Sequence, residues 1–179
     1  KYYKNIKTKF DIDEKEHKRL GFYLLALECI TGNTDLEELQ NSIIDTEFCS
    51  LVYHEKNNDL GIDAVYIDEE NKIIKLFNFK FRENFKINKG QEENNLLDTS
   101  KFWMKLNNKS FSEMTSRTEK KAKEISERFE SDDIWKTELF LVSNENFPLK
   151  SDNSTLNDFK DIFDMSVQSI VLENIVSYL

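Results

Sequence analysis

Residues 60–81, LGIDAVYIDEENKIIKLFNFKF, carry the clearest structural pattern in this chain. Residues 62–67 and 73–81 are rich in β-branched and aromatic side chains, which are typical of β-strands. Residues 68–72 between them are polar, and Asn71 tolerates the positive φ that a tight hairpin turn requires. The pattern therefore predicts an antiparallel hairpin with a short polar turn.

The length of the turn decides which side chains share a face of this hairpin. A turn of two or four residues places Asp63 opposite Asn78, and opposite residues of an antiparallel pair point to the same face. Lys80 lies two residues beyond Asn78 and therefore points to that face as well. The rest of the face is apolar: Val65, Ile67, Ile74 and Leu76. A three- or five-residue turn without a bulge would instead pair Asp63 with Phe77 and break the cluster.

These three polar residues are of the kinds that phosphodiester hydrolysis requires. A carboxylate such as Asp63 and a second oxygen ligand such as Asn78 hold a hard cation, which polarises a phosphate and lowers the pKa of an attacking water. A neighbouring Lys80 positions that water or offsets charge on the phosphate. Hairpins with ordinary polar residues near one end give the same short pattern, so spacing alone leaves both interpretations open.

Asp63 followed by Asn78-Phe79-Lys80 resembles the signature of the PD-(D/E)XK nuclease superfamily, an Asp followed by acid-x-Lys on a hairpin. The segments GIDAVYID and IIKLFNFKF resemble the N-terminal nuclease-like domain of the AIPR (abortive infection phage resistance) family. In that family a GIDG-type strand precedes a strand that ends in Gln-x-Lys. The middle position of the motif is usually Glu and sometimes Gln. Asn78 keeps a carbonyl oxygen but is uncharged and shorter, so we expect weaker metal binding.

The resemblance implies a set of site residues. The expected ligands of Mg²⁺ or Mn²⁺ are Asp63, Asn78 and the carbonyl of Phe79. Lys80 is the expected partner of the water or the phosphate. Nucleases of this superfamily often take another acid from the first helix, which makes Glu28, in the apolar turn ALECI, the further catalytic candidate. The competing interpretation places Glu28 at the solvent edge of that helix, because a buried carboxylate needs a partner.

Candidate substrate contacts follow the hairpin. Some members of the superfamily contact substrate through a Gln or Lys on the next helix, a position that Gln91 matches. Arg82 and Lys86 belong to a basic zone in residues 72–89, which begins at the candidate site. We expect them to contact phosphates, although a solvated loop and a plain helix start explain the same residues. Glu47, ahead of the first expected strand, is a second and weaker candidate acid.

Composition indicates one globular domain in residues 1–179, because 39% of residues are hydrophobic and one Pro and four Gly leave little room for a linker. The net charge of −9 argues against a general nucleic-acid coat protein. No apolar run approaches the roughly 18 residues of a membrane span. Cys29 and Cys49 lack metal-site spacing and fit reduced thiols, so we expect a cytoplasmic protein.

Hydrophobic periodicity predicts the remaining elements. Helices are expected at residues 11–31, from 34 or 35, and at 91–106, 112–128, 155–163 and 170–179. Strands are expected at 137–143 and 165–168, while 48–53 fits a first short strand or an irregular segment. This order is that of an α-β-β-β-α-β, restriction-endonuclease-like α/β core, with a mixed central sheet flanked by helices on both sides.

The resemblance and the motif together predict a metal-dependent nuclease of bacterial phage defence, acting by abortive infection on DNA in preference to RNA. Such a domain is expected to belong to a longer protein and to contact its C-terminal region. A homodimer is one expected arrangement, since cutting both strands of a duplex takes two sites. The alternative is a degenerate module of the same fold that binds nucleic acid or a partner protein without cleavage. A third hypothesis is a purely structural domain.

Overall fold

The computed structural model describes residues 1–179 and shows an α/β protein with eight α-helices and four β-strands. In chain order the elements are α1 (Tyr2–Lys9), α2 (Glu14–Thr31), α3 (Leu36–Ser42), α4 (Thr46–Phe48), β1 (Ala64–Asp68), β2 (Ile73–Lys80), α5 (Glu93–Asn107), α6 (Ser116–Phe129), β3 (Lys136–Ser143), α7 (Ser154–Phe163), β4 (Ser166–Ile170) and α8 (Leu172–Ser177). A π-helical turn (Cys49–Tyr53) follows α4, and a 3-10 turn (Phe111–Glu113) precedes α6. None of the helices is both long enough and apolar enough to cross a membrane.

The four strands form one mixed sheet in the order β1-β2-β3-β4. The β1 and β2 strands are antiparallel, as the hairpin pattern predicts. The β2, β3 and β4 strands are parallel to one another, and parallel neighbours need crossover connections. The crossover from β2 to β3 contains α5 and α6, and the crossover from β3 to β4 contains α7.

Hydrophobic cores lie on both faces of this sheet. One face carries Ala64 and Phe77 and packs against α1, α2, α3 and α8. The other face carries Val65 and Leu76 and packs against α5, α6 and α7. The expected mixed sheet with helices on both sides is therefore confirmed. The sequence pattern did not predict α1, which buries Tyr2 in the first of these cores.

Residues 48–53 are helical, so the expectation of a first strand there is wrong. Phe48 ends α4, and Cys49–Tyr53 forms the π-helical turn. Asp45 starts this segment because its carboxylate accepts the Phe48 N–H at 2.6 Å, as an N-cap does. Phe48 and Cys49 are fully buried, and a short apolar run fits a buried helical segment as well as a strand. Two strands, rather than the three of an α-β-β-β-α-β core, therefore precede the first crossover.

The hairpin turn has four residues, because Asp68 pairs with Ile73. The Asp68 carboxylate accepts the N–H of Asn71 at 3.0 Å and closes the turn. The positive φ of the turn, 56°, falls on Lys72, the last turn residue, rather than on Asn71. Four residues is one of the two turn lengths that keep the expected polar and apolar side chains on one face.

Candidate metal centre

Asp63 lies just beyond the last pair of the β1–β2 ladder, which is Ala64 with Phe77. The backbone N–H of Asp63 donates to the Phe77 carbonyl at 2.7 Å. Its Oδ2 accepts the backbone N–H of Phe79 at 2.5 Å. These two bonds hold the Asp63 carboxylate against β2, although residue 63 is outside the regular pairing.

A cleft of about 430 Å³ opens at this end of the hairpin. Four of the residues singled out by the sequence line it together: Asp63, Asn78, Phe79 and Lys80. The other lining residues come from the approach to β1 and from α5: Asn58, Asp59, Leu60, Gly61, Asn95, Asp98 and Lys101. The structure therefore brings the motif residues of the hairpin into one site.

The motif residues of β2 present different groups to this cleft. Asn78 is half-buried, and its Nδ2 donates to the Gly61 carbonyl at 3.0 Å, which leaves Oδ1 without a hydrogen-bond donor. The Phe79 ring stacks on Tyr23 at 4.4 Å between centroids, so Phe79 meets Asp63 through its backbone. Lys80 is exposed and forms no ion pair. The role of the Phe79 carbonyl as a ligand stays a prediction.

Two further aspartates, Asp45 and Asp59, complete the cluster around Asp63. One carboxylate oxygen from each of the three residues lies within 4.8 Å of the others. Asp45 is placed by its N-cap role in α4. Asp59 is placed by accepting the Thr46 N–H at 2.9 Å and the Gly61 N–H at 2.8 Å. Three acids from three consecutive segments of the chain thus converge, and two of them, Asp59 and Asp63, line the cleft.

The donor set of this cluster fits a divalent cation. Carboxylate oxygens are the ligands that Mg²⁺, Mn²⁺ and Ca²⁺ prefer. These oxygens are at most 4.8 Å apart, about twice a metal–oxygen distance of roughly 2.1–2.5 Å, so the three acids are close enough to be candidate ligands of one ion. Asp63 is only 8% exposed, lines the cleft, and has an Oδ1 that accepts no hydrogen bond from the protein.

The electrostatics of the cluster favour a bound cation. Burial raises the pKa of Asp63 well above its usual value, and the nearby Asp45 and Asp59 raise it further. Burial also raises the pKa of Asp45 to about 6, against the opposing effect of the Arg19 guanidinium. Three carboxylates this close repel one another when ionised, and a divalent cation would neutralise that charge.

The structure does not bring Glu28 to this cleft. Glu28 accepts a hydrogen bond from the Tyr2 hydroxyl and pairs with Lys1 at 3.2 Å. It lines a separate cavity of about 1050 Å³ beside α1 and α2. The residue of α2 that contacts the acid cluster is Arg19, whose Nη1 is 3.7 Å from Asp45 Oδ1. Arg19 is nine residues before Glu28, which is about 13 Å along a helix.

Glu47, the weaker acid candidate, reaches the cluster only through Arg19. Its Oε2 lies 2.6 Å from Arg19 Nη1, and its side chain is 67% exposed. Glu16, on α2, holds the same guanidinium at 2.7 Å. No sequence pattern pointed to Arg19, Asp45 or Asp59 as site residues, although the N-cap pattern at residues 45–48 was a usable signal.

The predicted substrate contacts lie outside the cleft lining. Arg82 pairs with the buried Glu145 and, at 3.3 Å, with Glu92. Its backbone N–H also donates to Asn144 Oδ1 at 2.7 Å, so Arg82 is part of the protein's own framework. Lys86 is exposed and forms no ion pair, and its contact with substrate stays a prediction.

Gln91 ties the ends of two strands together. Its Nε2 donates to the carbonyls of Leu141 at 2.7 Å and Ile170 at 3.1 Å. Its Oε1 accepts the Leu149 N–H at 3.3 Å. The Gln91 amide therefore bonds within the protein, and its contact with substrate stays a prediction.

A scan against protein-family models, a search of curated proteins and a search of solved structures each found no match for this chain. The fold and the site define an α/β protein with a mixed sheet and a three-carboxylate candidate metal centre. The likeness to the AIPR family rests on the hairpin motif and stays a hypothesis.

Proposed function

We propose that this protein is a metal-dependent nuclease whose centre is formed by Asp45, Asp59 and Asp63. The observation that carries the proposal is the meeting of these three carboxylates beside a cleft that Asp59, Asp63 and Lys80 line. A metal held by acids next to a free ammonium group is the arrangement that phosphodiester hydrolysis uses. The hairpin motif Asp63, Asn78-Phe79-Lys80 supports the same conclusion from the sequence.

Each residue has a defined role in this proposal. Mg²⁺ or Mn²⁺, when bound, polarises the phosphate and lowers the pKa of an attacking water. The three aspartates hold the ion, and the Asn78 Oδ1 offers a neutral oxygen beside them. Lys80 offsets the negative charge that grows on the phosphate. Lys101, on the α5 side of the cleft, is partly neutralised by Asp98 at 2.8 Å.

The proposed substrate is nucleic acid, with DNA favoured over RNA, and the proposed context is phage defence by abortive infection in a bacterial cytoplasm. The motif likeness to the AIPR family supports this context. The uneven charge distribution supports a nucleic-acid substrate, since the basic zone at residues 72–89 begins beside the cleft in a chain of net charge −9.

The test is cleavage of plasmid and single-stranded DNA by the full chain with Mg²⁺ and with Mn²⁺, beside Asp63→Asn and Lys80→Ala. We expect metal-dependent cutting that each substitution reduces by at least about 100-fold. Lys136→Ala is the matched control, because Lys136 pairs with Ile73 at the opposite end of β2 and is also exposed. Cutting that survives both substitutions at the cleft would rule out this active site.

A second candidate function is nucleic-acid binding without cleavage, and Asn78 is the observation that favours it. Asn78 supplies no charge where the motif usually has an acid, and its amide is tied to Gly61. This function predicts salt-dependent DNA binding with no cutting in either metal. Cutting gained by Asn78→Glu would identify a degenerate nuclease, while neither binding nor cutting would favour a structural domain.

A further inference from the structure

Arg19 is the only cation in contact with the three-aspartate cluster. Its side chain is 12% exposed and is held by two acids outside the cluster. Glu16 Oε2 lies 2.7 Å from Nη2, and Glu47 Oε2 lies 2.6 Å from Nη1. Asp45 Oδ1 lies farther away, at 3.7 Å from Nη1, which is an ion pair without a short hydrogen bond.

Arg19 is also connected to Asp63 through packed rings. The guanidinium lies 5.5 Å from the centroid of the Tyr23 ring. Tyr23 stacks on Phe79, and the Phe79 N–H donates to the Asp63 carboxylate. The side of α2 that carries Arg19 and Tyr23 therefore lies against two of the three aspartates. It contacts Asp45 directly and Asp63 through Phe79.

The charges around Arg19 do not balance. Three acids pair with it, Glu16, Glu47 and Asp45, and two more, Asp59 and Asp63, lie close to Asp45. One guanidinium cannot neutralise them all. A fixed positive charge this close to Asp45 nevertheless opposes a second cation at the same carboxylates, because like charges repel strongly in a part-buried site.

We propose that Arg19 is a resident counter-cation of this centre, which stabilises the metal-free cluster and limits its affinity for divalent cations. The inference rests on the proposed metal centre. The Arg19 guanidinium and the divalent cation compete for the negative charge of Asp45. Arg19 is a positioning residue in this account, since it acts through Asp45 and Tyr23 rather than on the substrate.

The test is Mn²⁺ binding to the full chain by titration calorimetry, with thermal unfolding of each variant in chelator. Arg19→Gln is expected to bind Mn²⁺ about tenfold more tightly than the natural chain, while unfolding at a lower temperature without metal. Arg19→Lys keeps the charge but cannot hold two acids in one planar fork. It is expected to lose stability with an affinity within about threefold of the natural chain.

Glu47→Gln supplies a variant that keeps Arg19 and is expected to fold, because Glu47 is largely exposed. Releasing Nη1 from Glu47 lets Arg19 move closer to Asp45, so Mn²⁺ binding should weaken by about threefold or more. Glu70→Gln is the matched control. It removes the same charge from an exposed position in the hairpin turn, at the end of β1 remote from Asp63, and should leave binding unchanged.

The outcomes separate this inference from the proposed function. If the natural chain binds no Mn²⁺, or binds it as well after Asp63→Asn, the metal centre fails and the inference falls with it. If the natural chain binds Mn²⁺ through Asp63 but Arg19→Gln binds equally or more weakly, the counter-cation role alone is overturned. Should Arg19→Gln fail to fold, equal binding by Glu47→Gln and Glu70→Gln overturns it instead.

Discussion

The backbone N–H of Phe79 points at the carboxylate of Asp63 and donates a hydrogen bond to its Oδ2. The Phe79 ring is locked on the other face of the sheet by its stack on Tyr23, so this donor has a fixed position. The orientation of the Asp63 carboxylate is therefore set by the hydrophobic core rather than by neighbouring side chains in the cleft. This arrangement holds the acid in a fixed orientation.

Asp63→Asn should raise the stability of the metal-free protein. The buried carboxylate lies near two others and its pKa is raised, so its ionised form is costly at pH 7.5, whereas Asn still accepts the Phe79 N–H. We expect the Tm in chelator to rise by about 2–4 °C.

Asp68→Asn is the control, because removing this carboxylate should change the Tm in the opposite direction. Burial acts to raise the pKa of Asp68, but hydrogen bonds from Asn71 outweigh it and lower that pKa. The ionised Asp68 therefore stabilises the fold, and its loss should lower the Tm. A fall in Tm for both variants, measured by differential scanning fluorimetry, would contradict the electrostatic account of Asp63.

Asp45 should make the metal-free protein less stable as pH rises from about 4 to about 6. Burial raises its pKa in the folded state to about 6 from a usual value of 3.8. The folded state thus binds more protons than the unfolded state in this window, and stability declines as those protons leave.

Asp45→Asn removes this titration but keeps the N-cap, because Asn accepts the Phe48 N–H as well as Asp does. The Tm of each protein is measured in chelator from pH 4.5 to 7.5. As the pH rises over this range, the Tm of the variant should increase relative to that of the natural chain by a few degrees. A difference that stays constant with pH would show that Asp45 is not titrating in this range.

Gly61→Ala should be far more damaging than Gly32→Ala. Both glycines have positive φ, 85° and 72°. A Cβ at Gly61 would lie 2.4 Å from the Asp98 carbonyl oxygen, whereas a Cβ at Gly32 meets nothing within 4 Å. We expect a loss of about 1 kcal/mol in unfolding free energy for Gly32→Ala, from backbone strain alone. For Gly61→Ala we expect more than about 3 kcal/mol, since the clash adds to the strain. Equal losses in urea unfolding would contradict the close contact between residue 61 and α5.

Cys29 should react with thiol reagents and Cys49 should not. Cys49 is fully buried, and burial raises its pKa to about 11, so it holds almost no thiolate at pH 8. Cys29 is only half-buried, although burial raises its pKa as well. We expect one slowly labelled thiol in the native chain and none in Cys29→Ser until denaturant is added. Rapid labelling of Cys29→Ser would show that the segment after α4 opens.

The parts of the site that follow from a local sequence pattern were predictable. The parts that depend on how separate segments of the chain pack together were not. Asp63, Asn78 and Lys80 were found because a hairpin relates them through strand alternation alone. Asp45 and Asp59 meet Asp63 only because residues 46–53 fold as helical turns, which an apolar run does not distinguish from a strand.

The prediction of Glu28 as the acid on α2 was limited in the same way, because sequence pattern does not record long-range packing. Periodicity identifies which face of a helix is buried, but it does not say which end of the helix lies near the site. Glu28 and Arg19 both belong to α2, and only the packing of that helix on the sheet places Arg19 beside Asp45. The outcome depends on long-range contacts, which a single sequence does not record.

The connection between β2 and α5 has an engineering consequence. Arg82 is bonded to Asn144 and Glu145, and the Gln91 N–H donates to the Phe147 carbonyl at 3.0 Å. Between these anchors, Asn146 donates its side-chain amide to the Ile87 carbonyl at 3.0 Å. The loop at 82–91 and the loop at 144–147 are therefore one interlocked module. Grafting either loop alone into another scaffold would leave its polar groups without their hydrogen-bond partners. Transplanting the two loops together would keep the hydrogen bonds between them.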